Sequence, residues 1–166
     1  CIGDNSGNGN LLYHIGCDLE LFKKKTLNHI CVMGYGCFKS LPKQQPLPKR
    51  LNIVLCTKED ARNLPAGVIA YTDFTKLLND ILSWSKNGLD IYICGGGMFY
   101  KSRLPYYDLL YITKVYDTEK TGNVYFPDLD KDSDFEIDSH LSLKGVYTKE
   151  KYLVDFLVYK TINKGV

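Results

Sequence analysis

The 166-residue sequence has little net charge and no long apolar run. Its 21 Lys and Arg residues nearly balance 19 Asp and Glu residues, for a formal net charge of +2. Nothing in this balance favours nucleic acid or an anionic membrane as a partner. No apolar stretch approaches the length of a membrane span, and 45% hydrophobic with 24% charged residues is typical of a globular protein. We expect one domain over residues 1–166, present as a cytoplasmic monomer.

The sequence also lacks the spacings that bind metals or form disulfide frameworks. None of its six cysteines belongs to a C-x-x-C pair, and several lie in apolar runs, where free cysteine behaves as a small hydrophobe. The three histidines lack metal-ligand spacing. We therefore predict reduced thiols and no metal site. The residues concerned are Cys1, Cys17, Cys31, Cys37, Cys56 and Cys94, with His14, His29 and His140.

Three consecutive glycines follow an apolar, β-branched run. Residues 91–94 predict a strand, Gly95-Gly96-Gly97 a tight turn, and Met98-Phe99-Tyr100 a helix start. Glycines there let a diphosphate reach backbone N–H groups, and a helix N-terminus adds partial positive charge. A turn with positive φ would explain one glycine, but three favour a nucleotide cofactor, although the G-x-G-x-x-G spacing is absent. Gly34-Tyr35-Gly36-Cys37 predicts a second phosphate cradle.

Strand and helix signals alternate along the chain. This order predicts an α/β fold with a mainly parallel central sheet flanked by helices, and an antiparallel C-terminal edge strand. A ligand is expected at the carboxyl ends of the parallel strands. The predicted strands are 30–33, 52–56, 68–71, 91–94, 109–115 and 152–159, and the predicted helices are 18–26 and one that Asp73 caps and that ends near 87–88.

Several polar residues have both a structural and a functional interpretation. Asp18, at a helix start, is most simply a first-turn acid that the helix dipole favours, but it shares a face with Phe22. Arg50 could be a solvated loop cation, yet the prolines before it would present it in a fixed place, as a carboxylate clamp requires. Thr113 fits a strand as a β-former, with a hydroxyl that could serve a buried acid. Lys23 belongs to a run of lysines that predicts a solvated face.

In their order along the chain, these segments resemble dihydrofolate reductase. That family implies an enzyme that uses NADPH to convert 7,8-dihydrofolate to tetrahydrofolate and that binds antifolate inhibitors. The resemblance is carried by Ile2-Gly3, Asp18-Leu19 with Phe22, Lys23 and Thr26, Val32-Met33-Gly34, Phe38, Ser40-Leu41, Pro46-Leu47-Pro48 with Arg50, Asn52-Ile53-Val54-Leu55, Gly95-Gly96-Gly97 with Tyr100, Leu110-Tyr111-Ile112-Thr113 and Phe126-Pro127-Asp128.

The resemblance assigns roles around the substrate. Asp18 corresponds to the site carboxylate that pairs with the pteridine N3 and 2-amino group and favours protonation at N5 through a water. Thr113 corresponds to the hydroxyl partner of that acid, and Tyr13 takes the place of the family's tryptophan. Arg50 corresponds to the clamp on the α-carboxylate of the substrate. The implied substrate-binding residues are Leu19, Phe22, Lys23, Leu41, Leu47, Arg50 and Cys94.

The resemblance also assigns a cofactor site, with departures from the family. Tyr35 stands where an arginine or lysine is expected, and Cys37 stands where the family has a threonine that donates a hydrogen bond. Thr57 and Lys58 are then the groups left to bind the 2′-phosphate of NADPH. Gly95 and Gly96 match a pair joined by a cis peptide. The implied cofactor-binding residues are Ile2, Gly3, Gly34, Tyr35, Gly36, Cys37, Ser40, Leu55, Cys56, Thr57, Lys58, Gly95, Gly96, Gly97, Met98, Phe99 and Tyr100.

Two other functions stay open at this point. The pyrimidine reductase of riboflavin synthesis shares the fold and cofactor but would not need Arg50 as a clamp or Asp18 beside Phe22. A folate- or nucleotide-binding protein without turnover would accommodate the replaced tryptophan and threonine. The family's first strand, which should precede Ile2, is missing from the sequence, and we expect that a preceding segment exists in the natural protein.

Overall fold

The fold is built on two sheets joined through helices and loops. A computed structural model describes residues 2–3, 11–103 and 106–162, without the side chains of Met98, Ser102 and Arg103. The helices are α1 (Gly16–Thr26), α2 (Tyr35–Lys39), α3 (Lys58–Ala61), α4 (Phe74–Ser85) and α5 (Gly97–Arg103), and the strands are β1 (Ile30–Gly34), β2 (Leu51–Leu55), β3 (Val68–Tyr71), β4 (Ile91–Gly95), β5 (Leu109–Val115), β6 (Phe135–Ile137), β7 (Leu143–Tyr147) and β8 (Leu153–Thr161).

The first sheet is parallel and has the strand order β3-β2-β1-β4. Its central strand, β1, pairs Ile30 with both Leu51 and Ile91. Alternate β1 residues face opposite sides, and both sides are covered. Ile30 and Val32 belong to a cluster with Leu77 and Ile81 of α4, whereas the next residues along β1 pack towards α2. Burial on both faces explains the continuous apolar run that predicted β1.

The helix α4 begins where the sequence predicts. The Asp73 carboxylate caps it by accepting a hydrogen bond of 2.7 Å from the backbone N–H of Lys76, which satisfies one of the free donors of the first turn. Leu77 and Ile81 are buried against the parallel sheet, whereas Leu82 of the same helix is 53% exposed. The chain turns after the helix through Gly88, whose φ is +81°.

The second sheet is antiparallel and has the order β5-β8-β6, with β7 also paired to β8. The C-terminal strand is therefore antiparallel, as predicted, but it has β5 on one side and β6 and β7 on the other, so it is not an edge strand of this sheet. The two extra partners, β6 and β7, lie in 135–147, a segment whose weak apolar pattern predicted no strands. Leu110, Leu157 and Tyr159 form the core of this sheet.

The α/β fold class is confirmed by this architecture. The bounds of the predicted parallel strands differ from those observed by one residue at most. None of the described helices is long and apolar enough to cross a membrane.

Candidate active site

An acid and a hydroxyl meet between α1 and β5. The Thr113 hydroxyl on β5 donates a hydrogen bond of 2.5 Å to Oδ1 of Asp18, in the first turn of α1. Farther along the same two elements, the Lys25 ammonium lies 4.1 Å from the ring centre of Tyr111. Tyr111 and Thr113 are two residues apart and therefore lie on the same face of β5. The helix α1 thus lies along that face, and Asp18 is half-buried at one end of it.

A fixed guanidinium lies at the other end of α1. In Arg50, Nε donates to the Thr26 hydroxyl (3.2 Å), Nη1 to the Pro48 carbonyl (2.7 Å) and Nη2 to the Lys23 carbonyl (3.2 Å). A guanidinium has five N–H bonds, one on Nε and two on each terminal nitrogen. Within the described residues, one N–H on each terminal nitrogen is therefore left without a protein acceptor. Such a pair of donors is what a carboxylate accepts in bidentate geometry.

The surface between these two ends is apolar. Asp18, Phe22 and Thr26 recur every four residues and so share one face of α1. At a rise of 1.5 Å per residue, the eight steps from Asp18 to Thr26 span about 12 Å. Phe22 lies half-buried between them, and the neighbouring Leu19 is 45% exposed. The face offers an acid, an aromatic surface and a cation in that order.

Other predicted substrate residues gather on the face of β1 that carries Cys31 and Met33. Leu41, Leu47 and Cys94 pack against one buried cluster, centred on Met33 and Val54. A hydrogen bond with Cys31, together with burial, raises the pKa of the Cys94 thiol well above its usual range. Cys94 is therefore a neutral, apolar group at neutral pH.

The three consecutive glycines at the end of β4 differ in how closely other atoms approach them. Gly95 and Gly96 are joined by a cis peptide, and Gly95 has φ of +134°. A Cβ on Gly95 would lie 3.0 Å from Sγ of Cys37, whereas a Cβ on Gly96 would meet no atom within 4 Å. A Cβ on Gly97 would lie 2.6 Å from Cγ1 of Val124. Gly95 is thus required by its positive φ and Gly97 by its packing against Val124, whereas Gly96 presents open backbone.

Ile2 and Gly3 lie beside this turn. The Ile2 N–H donates to the Val124 carbonyl (2.8 Å), and the Val124 N–H donates to the Gly3 carbonyl (3.0 Å). The Cδ1 atom of Ile2 lies 3.9 Å from the position of a Cβ on Gly97. The structure therefore brings the first described residues to the glycine run.

The helix α2 holds the second predicted cradle. Gly34 precedes it, and a Cβ there would lie 3.8 Å from the Gly95 carbonyl, so the two cradles adjoin. The Cys37 thiol donates to the Cys94 carbonyl (3.5 Å), and burial raises its pKa to about 11. The Ser40 hydroxyl donates to the Cys37 carbonyl (2.7 Å) at the end of the helix. Gly36 is exposed, with open space where a Cβ would be.

A lysine lies over the tyrosine that opens α2. The Lys39 ammonium is 4.9 Å from the ring centre of Tyr35. The two residues are four apart and so adjacent on the helix surface. A cation is therefore present beside Tyr35, the position where the resemblance led us to expect one and the sequence shows only a hydroxyl.

The segment after β2 is more engaged than the sequence suggests. Thr57 is the N-cap of α3: its hydroxyl accepts from the Asp60 N–H (3.1 Å) and donates to the Asp60 carboxylate (2.8 Å). Lys58 follows it and is exposed, whereas Leu55 and Cys56 are half-buried. Because the Thr57 hydroxyl is used in capping α3, the positive charge of this segment comes from the exposed Lys58.

The helix α5 sends its first side chains in different directions. Phe99 is buried in the core against Phe74, with ring centres 6.1 Å apart. Tyr100 contacts the Phe126 ring (5.0 Å), and burial, then the nearby Cys94 and Cys37 thiols, raise its pKa well above its usual range. The side chain of Met98 lies outside the described residues.

Tyr13 belongs to a different cluster. Its ring meets that of Tyr152 edge to face at 5.3 Å, and the Lys120 ammonium lies 4.9 Å from its centre. Lys120 also donates to the Leu12 carbonyl (3.2 Å). Burial, then the Asp117 carboxylate, raise the pKa of Tyr13. Tyr13 thus contacts Lys120, in the loop after β5, and Tyr152, directly before β8.

Comparison with known proteins identifies the family. The family model for dihydrofolate reductase matches residues 1–161. The dihydrofolate reductase of Bacillus subtilis is 31% identical over 155 residues, 93% of this chain and 86% of that protein. That of Haemophilus influenzae is 34% identical over 117 residues, 70% of this chain and 67% of its own. The chain belongs to the dihydrofolate reductase family.

A solved structure agrees with this assignment. Dihydrofolate reductase from Enterococcus faecalis, complexed with NADP(H) and RAB-propyl, has a TM-score of 0.78 and 28% sequence identity, and the match covers 98% of this chain and 90% of that one. The chain is thus an oxidoreductase that uses NADPH to reduce 7,8-dihydrofolate to tetrahydrofolate, in a family that binds dihydrofolate and antifolates.

The residues present fit the cofactor of a dihydrofolate reductase. Open backbone at Gly36 and Gly96 leaves room for a diphosphate at the carboxyl ends of β1 and β4, where α/β folds bind ligands. Lys39 and Lys58 are exposed cations on the helices that follow β1 and β2. No cluster of His, Cys, Asp or Glu suited to a metal ion occurs among the described residues.

Four residues that contact predicted site residues or the helix α1 had no such role in the sequence-based assignment. Lys39 could have been found from its helical spacing to Tyr35. Asn52, which lies inside a strand, Lys120 and Glu150 gave no periodic signal. The Glu150 carboxylate accepts a hydrogen bond of 2.9 Å from the Gly16 N–H at the start of α1.

Proposed function

We propose that dihydrofolate is reduced in the cleft along α1, with its pteridine at Asp18 and its glutamate tail at Arg50. The observation that carries this proposal is the placement of a hydrogen-bonded acid and a fixed guanidinium at the two ends of one 11-residue helix. Dihydrofolate itself carries a polar ring and a carboxylate at opposite ends of a rigid aminobenzoyl spacer. The order of these groups in the substrate thus matches the order of the acid and the guanidinium along α1.

In this assignment Asp18 binds the N3 and 2-amino group of the pteridine and favours protonation at N5, the proton arriving through a water. Thr113 holds the acid in place by its hydrogen bond, and Tyr13 substitutes for the family's tryptophan at the adjacent loop. Bound NADPH supplies the hydride that C6 accepts. The apolar surfaces of Leu19, Phe22, Leu41, Leu47 and Cys94 hold the ring and the spacer and exclude water.

The clamp on the substrate is assigned to Arg50, with Lys23 contributing its carbonyl. The two free N–H bonds of the guanidinium take the α-carboxylate in a bidentate pair. Because three internal hydrogen bonds already hold the group, little side-chain entropy is lost on binding. The exposed Lys23 ammonium stays a weaker candidate for the same tail.

The cofactor is assigned to the two glycine cradles and the helices beside them. The residues are Ile2, Gly3, Gly34, Tyr35, Gly36, Cys37, Ser40, Leu55, Cys56, Thr57, Lys58, Gly95, Gly96, Gly97, Met98, Phe99 and Tyr100. Phe99 can contribute only its backbone, since its side chain lies in the core.

An absorbance assay at the NADPH band tests the proposal. We expect oxidation of NADPH with 7,8-dihydrofolate, and none with a ribosylaminopyrimidine, because that substrate offers no carboxylate to Arg50. The same assay on Arg50→Leu should lose efficiency with dihydrofolate. Turnover of the ribosylaminopyrimidine, or no turnover of dihydrofolate, would contradict the assignment.

We also propose a cytoplasmic monomer that binds neither nucleic acid nor membrane. The small net charge of +2 and the free thiols of Cys17, Cys31, Cys37, Cys56 and Cys94 support it, since free cysteines are typical of a reducing compartment. Light scattering on the purified protein measures the oligomeric state, and a mass twice that of the 18.9 kDa chain would contradict a monomer.

A further inference from the structure

Asn52 is a polar side chain in the interior of the parallel sheet. It is 1% exposed, and its neighbours across the sheet are Cys31 and Val68. Its Oδ1 accepts from the Leu47 N–H (2.9 Å), while Nδ2 donates to the carbonyls of Leu47 (2.9 Å) and Arg50 (3.0 Å). The amide therefore closes the 47–50 segment onto β2. A buried amide without these partners would be costly, so its burial depends on this loop conformation.

Thr26 is a second buried polar residue that contacts the same arginine. It is 0% exposed. Its hydroxyl donates to the Phe22 carbonyl (2.8 Å) and accepts from Nε of Arg50 (3.2 Å). The hydroxyl hydrogen is committed to the helix, so the oxygen lone pair faces the guanidinium. Asn52 thus fixes the backbone of Arg50, and Thr26 fixes the rotation of its side chain.

We propose that Asn52 and Thr26 are the positioning residues of the Arg50 clamp. This inference rests on the proposed function, in which Arg50 binds the carboxylate of the substrate. A bidentate pair needs both terminal nitrogens in one plane with the carboxylate. Three of the five N–H bonds are used internally, and this leaves the fork in a single orientation. Without the contacts of Asn52 or Thr26, the Arg50 guanidinium is free to rotate, and the carboxylate must then order it on binding.

The test compares two substrates in matched variants. One is 7,8-dihydrofolate, and the other is a dihydropterin with a methyl group in place of the benzoylglutamate. Thr26→Val keeps the side-chain shape and removes the hydroxyl, Thr26→Ser keeps the hydroxyl, and Asn52→Leu removes the amide. We expect Thr26→Val and Asn52→Leu to raise KM for dihydrofolate roughly tenfold. Their kcat, and their KM for the methyl pterin, should stay near wild type, as should both constants of Thr26→Ser.

The control is Ile81→Val, which removes a buried methylene from the core on the α4 side. It should lower stability without separating the two substrates. In an Arg50→Leu background, Thr26→Val should have no further effect on the KM ratio. If Asn52→Leu does not fold, the comparison of Thr26→Val with Thr26→Ser tests the proposal by itself.

Two failures are distinguishable. If Arg50→Leu changes the KM ratio but Thr26→Val and Asn52→Leu weaken both substrates equally, the positioning role is wrong and the clamp stands. If Arg50→Leu leaves the ratio unchanged, the clamp itself is wrong, and this inference is overturned with it.

Discussion

The hydroxyl of Thr113 and the carboxylate of Asp18, 95 positions apart in the sequence, are hydrogen-bonded at 2.5 Å. The bond joins the first turn of α1 to β5 and fixes one oxygen of the acid. Since a hydroxyl has a single hydrogen to donate, the second oxygen of Asp18 keeps its accepting capacity for the substrate. In the proposed function, this pair marks the place where the pteridine binds.

Asp18→Asn should remove most turnover while the fold and cofactor binding are retained. The amide occupies the same volume but cannot pair as an acid with N3 and the 2-amino group. We expect kcat at neutral pH to fall by roughly 10²–10⁴-fold, the usual contribution of a positioned acid. Activity should partly return at low pH, where solvent can protonate the substrate. Rate measurements across pH check this, with Asp90→Asn, an exposed site, as the control. Wild-type turnover of Asp18→Asn at neutral pH would contradict the role.

Arg50→Leu should raise KM for dihydrofolate and hardly affect the methyl pterin. A charge-assisted pair contributes roughly 1.5–3 kcal/mol, which corresponds to a KM change of about one to two orders of magnitude. Steady-state kinetics with both substrates measure the difference. Arg62→Leu, which changes an exposed arginine after α3, is the matched control. Equal losses with both substrates would mean that Arg50 has only a structural role.

The fold could be predicted from the sequence because buried parallel strands leave continuous apolar runs. Ile30 to Gly34 and Leu51 to Leu55, whose central residues are buried, needed no more than that pattern. The strands β6 and β7 could not be predicted, since both depend on pairing with β8 and β7 is mostly exposed, so that neither shows a clear apolar pattern.

The site required more than periodicity. Asp18 and Thr113 each have an ordinary structural interpretation, and only the family resemblance paired them across 95 positions. Asn52 appeared as one residue of an apolar strand, because no local pattern shows that an amide faces a loop five residues earlier. Glu150 and Lys120 lie in loops, where sequence carries no period. Tertiary contacts alone reveal such residues.

The hydrogen bond between Gly16 and Glu150 should make stability depend on acid pH. The Gly16 N–H lowers the pKa of Glu150 below its usual 4.5, followed by the local backbone, Thr148 and Lys149. A lowered pKa in the folded state adds stability that is fully present above pH 4.5 and is lost as the pH falls through the folded pKa. Glu150→Gln keeps an oxygen acceptor but loses the charge.

We therefore expect Glu150→Gln to be less stable than wild type near neutral pH, and the difference to vanish below the folded pKa. Urea midpoints over a pH series measure it. Glu119→Gln, also in an exposed loop, should show no such convergence. A Glu150→Gln difference that stays constant with pH would contradict the ionic contribution of this bond.

The choice between NADPH and NADH should depend on two lysines. The Thr57 hydroxyl is committed to Asp60, so Lys58 carries the charge after β2, and Lys39 over the Tyr35 ring replaces the expected cation after β1. Both ammonium groups are exposed and are therefore screened by salt. We expect a preference for NADPH that is weaker than is usual in the family and that falls further with ionic strength.

Lys58→Ala and Lys39→Ala should each raise KM for NADPH and leave KM for NADH unchanged. The KM values of both cofactors, at low and high salt, measure this, with the exposed Lys86→Ala as the control. If neither variant alters the ratio of KM for NADPH to KM for NADH, the 2′-phosphate is held by other groups, and the role proposed for the two lysines is wrong.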